Sequence, residues 1–350
     1  MLGATGLRVS EIGMGCWAIG GPDTNLGLPM GWAPVDEGVA VRALERAHQL
    51  GVTLFDTADV YGHGRSERIL GRLVEQVPRE SLVLSSKVGY FTGTAPHGYH
   101  PGHMRRQLEQ TLDNLRTDHL DVYFLHHAEF GPDDVHLAPA VEAMHRFREE
   151  GLIRVIGMRG PHRHAVTRLS GQPRVDKVRR FHELVERARP EVLAVRDNLL
   201  TPQNRSAGIF AFAEERGCGV LVNKPLAGGL LAGEYRSDRP RLFGAGDHRS
   251  RKRWFTPAAV AMLEQGLAEV RAQVGPDLVR VALGSCLRRS DNAAVLVGFT
   301  SLEQVERNIT ALTTPPSDAE ITRARDIMGR VQRALDASGE VFLDETGARS

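Results

Sequence analysis

The chain has 350 residues, a formal net charge of +1, 41% hydrophobic residues and three scattered cysteines. Near-neutral charge with mixed signs gives no electrostatic case for nucleic acid or an anionic membrane, and Cys16, Cys218 and Cys286 form neither a disulfide framework nor a CxxC metal pair. No apolar run approaches the roughly 18 residues of a membrane span and no basic-plus-apolar signal segment opens the sequence, so a soluble, cytoplasmic protein without a metal is expected.

In chain order, Gly3 and Gly6 flank a polar turn that predicts a hairpin, and residues 12–17 lead into a first strand. Short apolar runs near 53–56, 82–86, 120–125, 153–157, 192–195, 219–222 and 294–297 alternate with amphipathic stretches at 39–50, 103–115, 135–149 and 206–216. A basic, helix-like stretch lies around 174–189, and residues 317–338 predict a C-terminal helix before a polar tail. Strand, helix, strand in this rhythm means parallel strands covered by helices. With no linker or low-complexity tract, one α/β barrel over residues 1–350 is favoured over two ordinary domains.

Four polar residues stand at or just past strand ends: Asp56, Tyr61, Lys87 and His126. In such barrels the active site lies at the C-terminal ends of the strands. A free tyrosine, with a pKa of about 10, is a poor acid and a hard base to regenerate at neutral pH. An ammonium held against its oxygen favours phenolate, and a carboxylate keeps that ammonium charged and placed. Tyr61 is therefore read as general acid and base, Lys87 as its tuner, Asp56 as the anchor of Lys87, and His126 as the donor that orients and polarises a carbonyl. Alternation sends His127 to the opposite side of its strand.

The sequence resembles the aldo-keto reductases over nearly its whole length. The resemblance rests on residues 2–10, Phe55-Asp56-Thr57-Ala58-Asp59-Val60-Tyr61-Gly62, Gly64-Arg65-Ser66-Glu67, Ser86-Lys87-Val88-Gly89, residues 120–126, 151–157 and 225–233, and the stretch from Gly298 to Asn308. It implies a (β/α)8 TIM barrel with an N-terminal β-hairpin plug and a C-terminal helix, a small-molecule carbonyl or alcohol substrate, and NAD(P)-dependent reduction of an aldehyde or ketone. Redox-neutral epimerase or lyase chemistry on a tightly bound dinucleotide, and a non-catalytic cofactor-binding subunit, are the alternatives.

The resemblance also implies a cofactor path. It would run from Gly15, Cys16, Trp17 and Asp56 past Lys224, Leu226, Gly228 and Gly233, whose backbone approaches phosphate, to Gly298, Ser301, Gln304 and Asn308 at the adenosine. Arg251, in the basic run 249–253, would meet the 2′-phosphate of NADP (NADPH); with NAD instead, Glu303 would accept from the ribose. The sequence departs from the family at the nicotinamide. Arg159 and Gly160 replace a Ser-Asn pair, Ala194 and Asp197 replace a Gln and an aromatic, and Cys16 stands where threonine is frequent. Arg159 is expected either to pair with Asp197 or to meet an anionic group on the substrate.

Overall fold

The computed structural model describes residues 1–25, 27–160 and 177–338. Eight parallel strands close into a barrel in sequence order: β1 (Ile12–Gly15), β2 (Leu54–Asp56), β3 (Val83–Val88), β4 (Leu120–Leu125), β5 (Ile153–Arg159), β6 (Val192–Arg196), β7 (Gly219–Asn223) and β8 (Ala293–Gly298), with β8 pairing back to β1. The helices between them are α1 (Glu37–Gln49), α2 (Arg65–Val74), α3 (Pro101–Leu115), α4 (Leu137–Glu149), α5 (Lys177–Ala188), α6 (Gln203–Glu215), α7 (Pro257–Gln273) and α8 (Leu278–Leu287), followed by α9 (Leu302–Thr310) and α10 (Asp318–Ser338). The expected (β/α)8 barrel and C-terminal helix are present. Arg174 and the polar tail from residue 339 lie outside the described residues.

Strand alternation sorts the core into two shells. Leu54, Val83, Val122, Phe124, Val155, Val192, Ala194, Leu221, Ala294 and Leu296 form an inner cluster, while Ile12, Met14, Tyr123, Leu125, Leu193 and Val195 belong to the larger outer cluster shared with the helices. The inner cluster is capped below by Leu2 and Leu7. The expected hairpin is a tight turn there, closed by Leu2 N–H to Leu7 O at 2.9 Å, with no paired strands assigned. It nonetheless plugs the barrel floor: a Cβ on Gly219, at the start of β7, would stand 2.5 Å from Leu2.

Helix starts carry their own side-chain caps. Asp36 accepts from Val39 N–H, Thr256 from Ala259 N–H, Asp277 from Arg280 N–H and Ser301 from Gln304 N–H, each satisfying one of the donors a helix leaves unpaired at its first turn. Away from the strand tops, the buried carboxylate of Asp121 ties three strands together. It accepts from Arg79, Arg154 and Leu84 N–H at 2.8 to 2.9 Å.

Candidate active site

The two-residue period that fills the barrel also aims its upper end. On β2 the inward series Leu54, Asp56 ends in a carboxylate; on β3 Val83, Ser85, Lys87 ends in an ammonium; on β4 Val122, Phe124 runs on to His126; on β5 Val155, Gly157, Arg159 ends in a guanidinium. Asp56, Lys87, His126 and Arg159 therefore converge on one cavity of about 670 Å³, which Tyr61 also lines.

Lys87 Nζ donates to Asp56 Oδ1 at 2.8 Å, to Oδ2 at 2.7 Å and to Thr57 O at 2.5 Å. The Ser85 hydroxyl donates to Asp56 Oδ1 at 2.7 Å. Burial works against the ammonium, but Asp56 and then Tyr61 outweigh it, so Lys87 sits above the ordinary lysine range and remains charged. Its Nζ lies 4.9 Å from the centre of the Tyr61 ring.

Tyr61 departs from expectation in the sign of its shift. Burial raises the phenol more than the neighbouring Lys87 lowers it, and the net direction is upward. The phenol is thus a proton holder at neutral pH, with Lys87 limiting the rise. The loop carrying Tyr61 is fixed from both sides. Arg65 donates to Ile19 O at 2.5 Å and Val35 O at 2.9 Å, and Ser66 donates to Cys16 O at 2.8 Å. The backbone of this loop passes so close to the segment after β1 that a Cβ on Gly62 (φ 62°) would stand 2.2 Å from Gly20 O.

The His126 ring meets Tyr61 edge-on at 6.0 Å between centroids and Tyr90 at 4.7 Å. His127 faces outward as expected, with Nε2 at 2.9 Å from Gly89 O, outside the cavity lining.

The cavity continues along Lys224 to Gly229 and reaches Gly298, Thr300, Gln304, Arg307 and Asn308. Gly15, Trp17, Asp56, Arg159, Lys224, Leu226, Gly228, Arg251, Gly298, Gln304 and Asn308 all line it. Backbone φ is positive at Lys224 (56°), Ala227 (49°), Gly228 (73°) and Gly229 (93°), a tightly turned segment in which Ala227 N–H and Gly229 N–H donate to Lys224 O and Leu226 O. Two buried polar atoms on this wall, Trp32 Nε1 and Asn308 Oδ1, have no hydrogen-bond partner among the described residues. Together with the basic side chains, these features fit an elongated, polyanionic, heteroaromatic ligand such as a nicotinamide dinucleotide.

Four of the expected cofactor contacts, Cys16, Asp197, Gly233 and Ser301, do not line the cavity. Cys16 and Asp197 follow the outward phase of their strands, after Met14 and Val195, and neither lines the cavity. Asp197 is fully buried and accepts from Arg325 at 3.1 Å and Ser206 at 3.1 Å, with Arg289 at 3.5 Å; it does not pair with Arg159. Gly233 closes the turn over residues 227–232 in the left-handed conformation (φ 73°) that favours glycine. Ser301 caps α9 and leaves the lining to Thr300. Glu303 is exposed and outside the cavity.

Sequence reading passed over Tyr90, Trp32, His248, Trp254 and Phe255, all in the lining. The signal was rarity: the chain has three tryptophans, and all of them line this cavity. Arg249, Arg251 and Lys252 of the basic run all line the cavity, and Arg249 is buried and donates to Asp247 at 2.6 Å and Tyr235 at 2.9 Å. The segments 21–32 and 244–251 are zipped into one wall by Gly31 N–H to Gly246 O at 2.9 Å, His248 N–H to Gly31 O at 2.9 Å, and His248 Nδ1 at 2.8 Å from Gly31 O. On that wall the rings of Trp17 and His248 lie 4.3 Å apart, and those of Trp32 and His248 4.8 Å apart.

The sequence profile of the Aldo/keto reductase family matches residues 11–328. The chain belongs to this family. It is an NAD(P)H-dependent oxidoreductase acting on carbonyl groups, built on the fold just described. Among its relatives are the NADH-specific methylglyoxal reductase of Escherichia coli K12, 28% identical over 95% of this chain and 98% of that protein, and the L-galactose dehydrogenase of Arabidopsis thaliana, 27% identical over 89% of this chain and 87% of that protein. In fold it matches a glycerol dehydrogenase from Gluconobacter oxydans with a TM-score of 0.71 at 22% identity, covering 98% and 97% of the two chains. An aldo-keto reductase from Bacillus halodurans matches with a TM-score of 0.66 at 24% identity over 93% and 95%.

Proposed function

We propose that this aldo-keto reductase converts an aldehyde or ketone to an alcohol with Tyr61 as proton donor, Lys87 and Asp56 as its electrostatic support, and His126 as the donor that holds the carbonyl. The convergence of the inward series of β2, β3 and β4 on Tyr61 carries this reading. A bound nicotinamide cofactor supplies the hydride, so that carbonyl compound, NAD(P)H and one proton give alcohol and NAD(P)⁺. The chain's own task is the proton: Tyr61, kept protonated by burial, gives it to the carbonyl oxygen, and the charge left on the phenolate is stabilised by Lys87.

NADPH is the proposed partner. Arg251, Lys252 and Arg307 line the adenosine side of the cavity against a single carboxylate there, Glu234, which Arg307 already holds at 2.6 Å. A 2′-phosphate suits a cavity end lined by several cations. The three cysteines are all free and buried, which supports a cytoplasmic location.

Steady oxidation of added NADPH in the presence of small aldehydes or ketones, with alcohol formed in equal amount, tests the reaction. Substrate turnover without net NADPH consumption would replace it with redox-neutral chemistry. Undiminished turnover in Tyr61→Phe would remove Tyr61 from its role.

A further inference from the structure

Among the described residues, Arg159 has no acidic partner, and it lines the reacting end of the cavity. It ends β5 pointing inward, opposite Ala194 on β6. Its Nη1 donates to the Tyr90 hydroxyl at 2.8 Å and to His126 O at 3.3 Å. Both acceptors are neutral and both use the same nitrogen, so Nε and Nη2 have no protein acceptor among the described residues. The carboxylates that line the cavity are engaged elsewhere, Asp56 by Lys87 and Glu234 by Arg307. Asp197, the partner expected for Arg159 from the sequence, is turned outward and held by Arg325 and Arg289.

Arg159 is half-buried at the cavity, and a partly shielded guanidinium gains most from an anion that uses its open donors. The side-on pair of Nε–H and Nη2–H matches two oxygens of one oxyanion. The cavity lining offers the cofactor's own phosphates other cations, Lys224, Arg251 and Lys252. Arg159 stands instead beside the proton-transfer group. Tyr61, whose acidity burial governs first, also feels the charges of Lys87 and Arg159, both lowering its pKa.

We propose that Arg159, oriented by Tyr90 and the His126 carbonyl, receives an oxyanion group carried by the substrate close to its reacting carbonyl, so that the preferred substrates are anionic carbonyl compounds such as 2-oxo acids. This rests on the reductase reading and narrows it. With a carboxylate on the guanidinium, the adjacent carbonyl lies toward His126 and Tyr61, which give it a hydrogen bond and a proton. A phosphate-bearing aldehyde would satisfy the same fork.

Two measurements test the proposal, one of them independent of turnover. Pyruvate and butane-2,3-dione differ in carboxylate against acetyl, and glyceraldehyde 3-phosphate and glyceraldehyde differ in the phosphate. The parent protein should favour the charged member of at least one pair, and Arg159→Gln should reduce that ratio of kcat/KM by roughly 10- to 100-fold, as loss of a charge-assisted contact implies. Arg159→Lys should restore part of it. The pair that discriminates identifies the anion. Equal use of charged and neutral members by the parent, or an equal loss on both in Arg159→Gln, overturns the proposal. Binding is followed separately through the fluorescence of the tryptophans lining the cavity, with oxamate as a non-reducible 2-oxo acid mimic and inorganic phosphate as the second probe. Saturable binding of either that Arg159→Gln abolishes supports the site even if no carbonyl is turned over, in which case only the reductase reading fails. If neither probe binds, or the variant binds as well as the parent, Arg159 is not an anion site.

Discussion

Lys87 Nζ grips both carboxylate oxygens of Asp56, at 2.8 and 2.7 Å, while standing 4.9 Å from the centre of the Tyr61 ring. The ammonium is therefore fixed before any ligand arrives, and the phenol is held beside a charge that cannot swing away. Tyr61→Phe should cut turnover by about 10²–10⁴, the usual share of general acid catalysis. Lys87→Met should also disable the enzyme, and Asp56→Asn should impair it by loosening Lys87. Tryptophan quenching by NADPH should persist in Tyr61→Phe; loss of that signal would place the defect in cofactor binding.

The direction of the Tyr61 shift fixes the pH profile. Reduction needs the protonated phenol, and burial pushes its pKa above the ordinary tyrosine value. The rate of carbonyl reduction should therefore stay level across neutral pH and fall only above about pH 10. Alcohol oxidation, which needs the phenolate, should rise over the same range. A reduction limb that falls near pH 7 would contradict Tyr61 as the acid.

His126→Ala should damage carbonyl turnover more than His127→Ala. The first ring lines the cavity beside Tyr61, whereas the second is turned outward onto Gly89 O. Losing the His127 ring should appear mainly as a lower melting temperature, because that ring holds Gly89 O at 2.9 Å and packs against the Tyr99 ring at 4.6 Å. The reverse ranking in kcat/KM would reassign the donor.

Arg251→Ala should weaken NADPH more than NADH. Its guanidinium lines the cavity and donates from Nη2 to Met30 Sδ at 3.2 Å. Titrating both dinucleotides into parent and variant gives the comparison. If the parent prefers NADH, the NADP reading is wrong.

Asp59 offers a stability test away from catalysis. It is buried, neither carboxyl oxygen has a hydrogen bond of ordinary geometry among the described residues, and burial followed by the nearby Glu67 pushes its pKa well up. A carboxyl whose folded pKa is raised helps the fold below its unfolded pKa of about 4 and loses that help as pH rises through the folded value. Asp59→Asn removes the ionisation penalty. Its melting temperature should exceed that of the parent at pH 7, and the gap should narrow toward pH 4. A lower melting temperature at pH 7 would show that the carboxylate is paired in solution.

The barrel and the residues that work at its mouth were legible because one physical rule governs both. Apolar runs with a two-residue period give the strands, and continuing the same period one step past the apolar core gives Asp56, Lys87, His126 and Arg159. The misplaced residues broke on that rule too. Cys16 and Asp197 are one step out of phase, so matching the family's order of residues could not reveal that they face the helices. Ser301 and Gly233 carry a helix cap and a left-handed turn, demands that look the same in sequence as a phosphate site. The tryptophan-lined wall was missed for a different reason. Trp32 and His248 come from irregular loops more than 200 residues apart, where no period says which side chain turns inward.

That wall makes two distant stretches of chain a single evolutionary unit. Gly31 carries hydrogen bonds to both Gly246 and His248, and a Cβ on Gly31 would stand 2.2 Å from Gly21 O. Any loop graft that retunes specificity by exchanging one stretch alone inherits a mismatched seam, and substitutions on the two sides should show epistasis, the second costing less than it would in the parent. Exchanging both together is the conservative design.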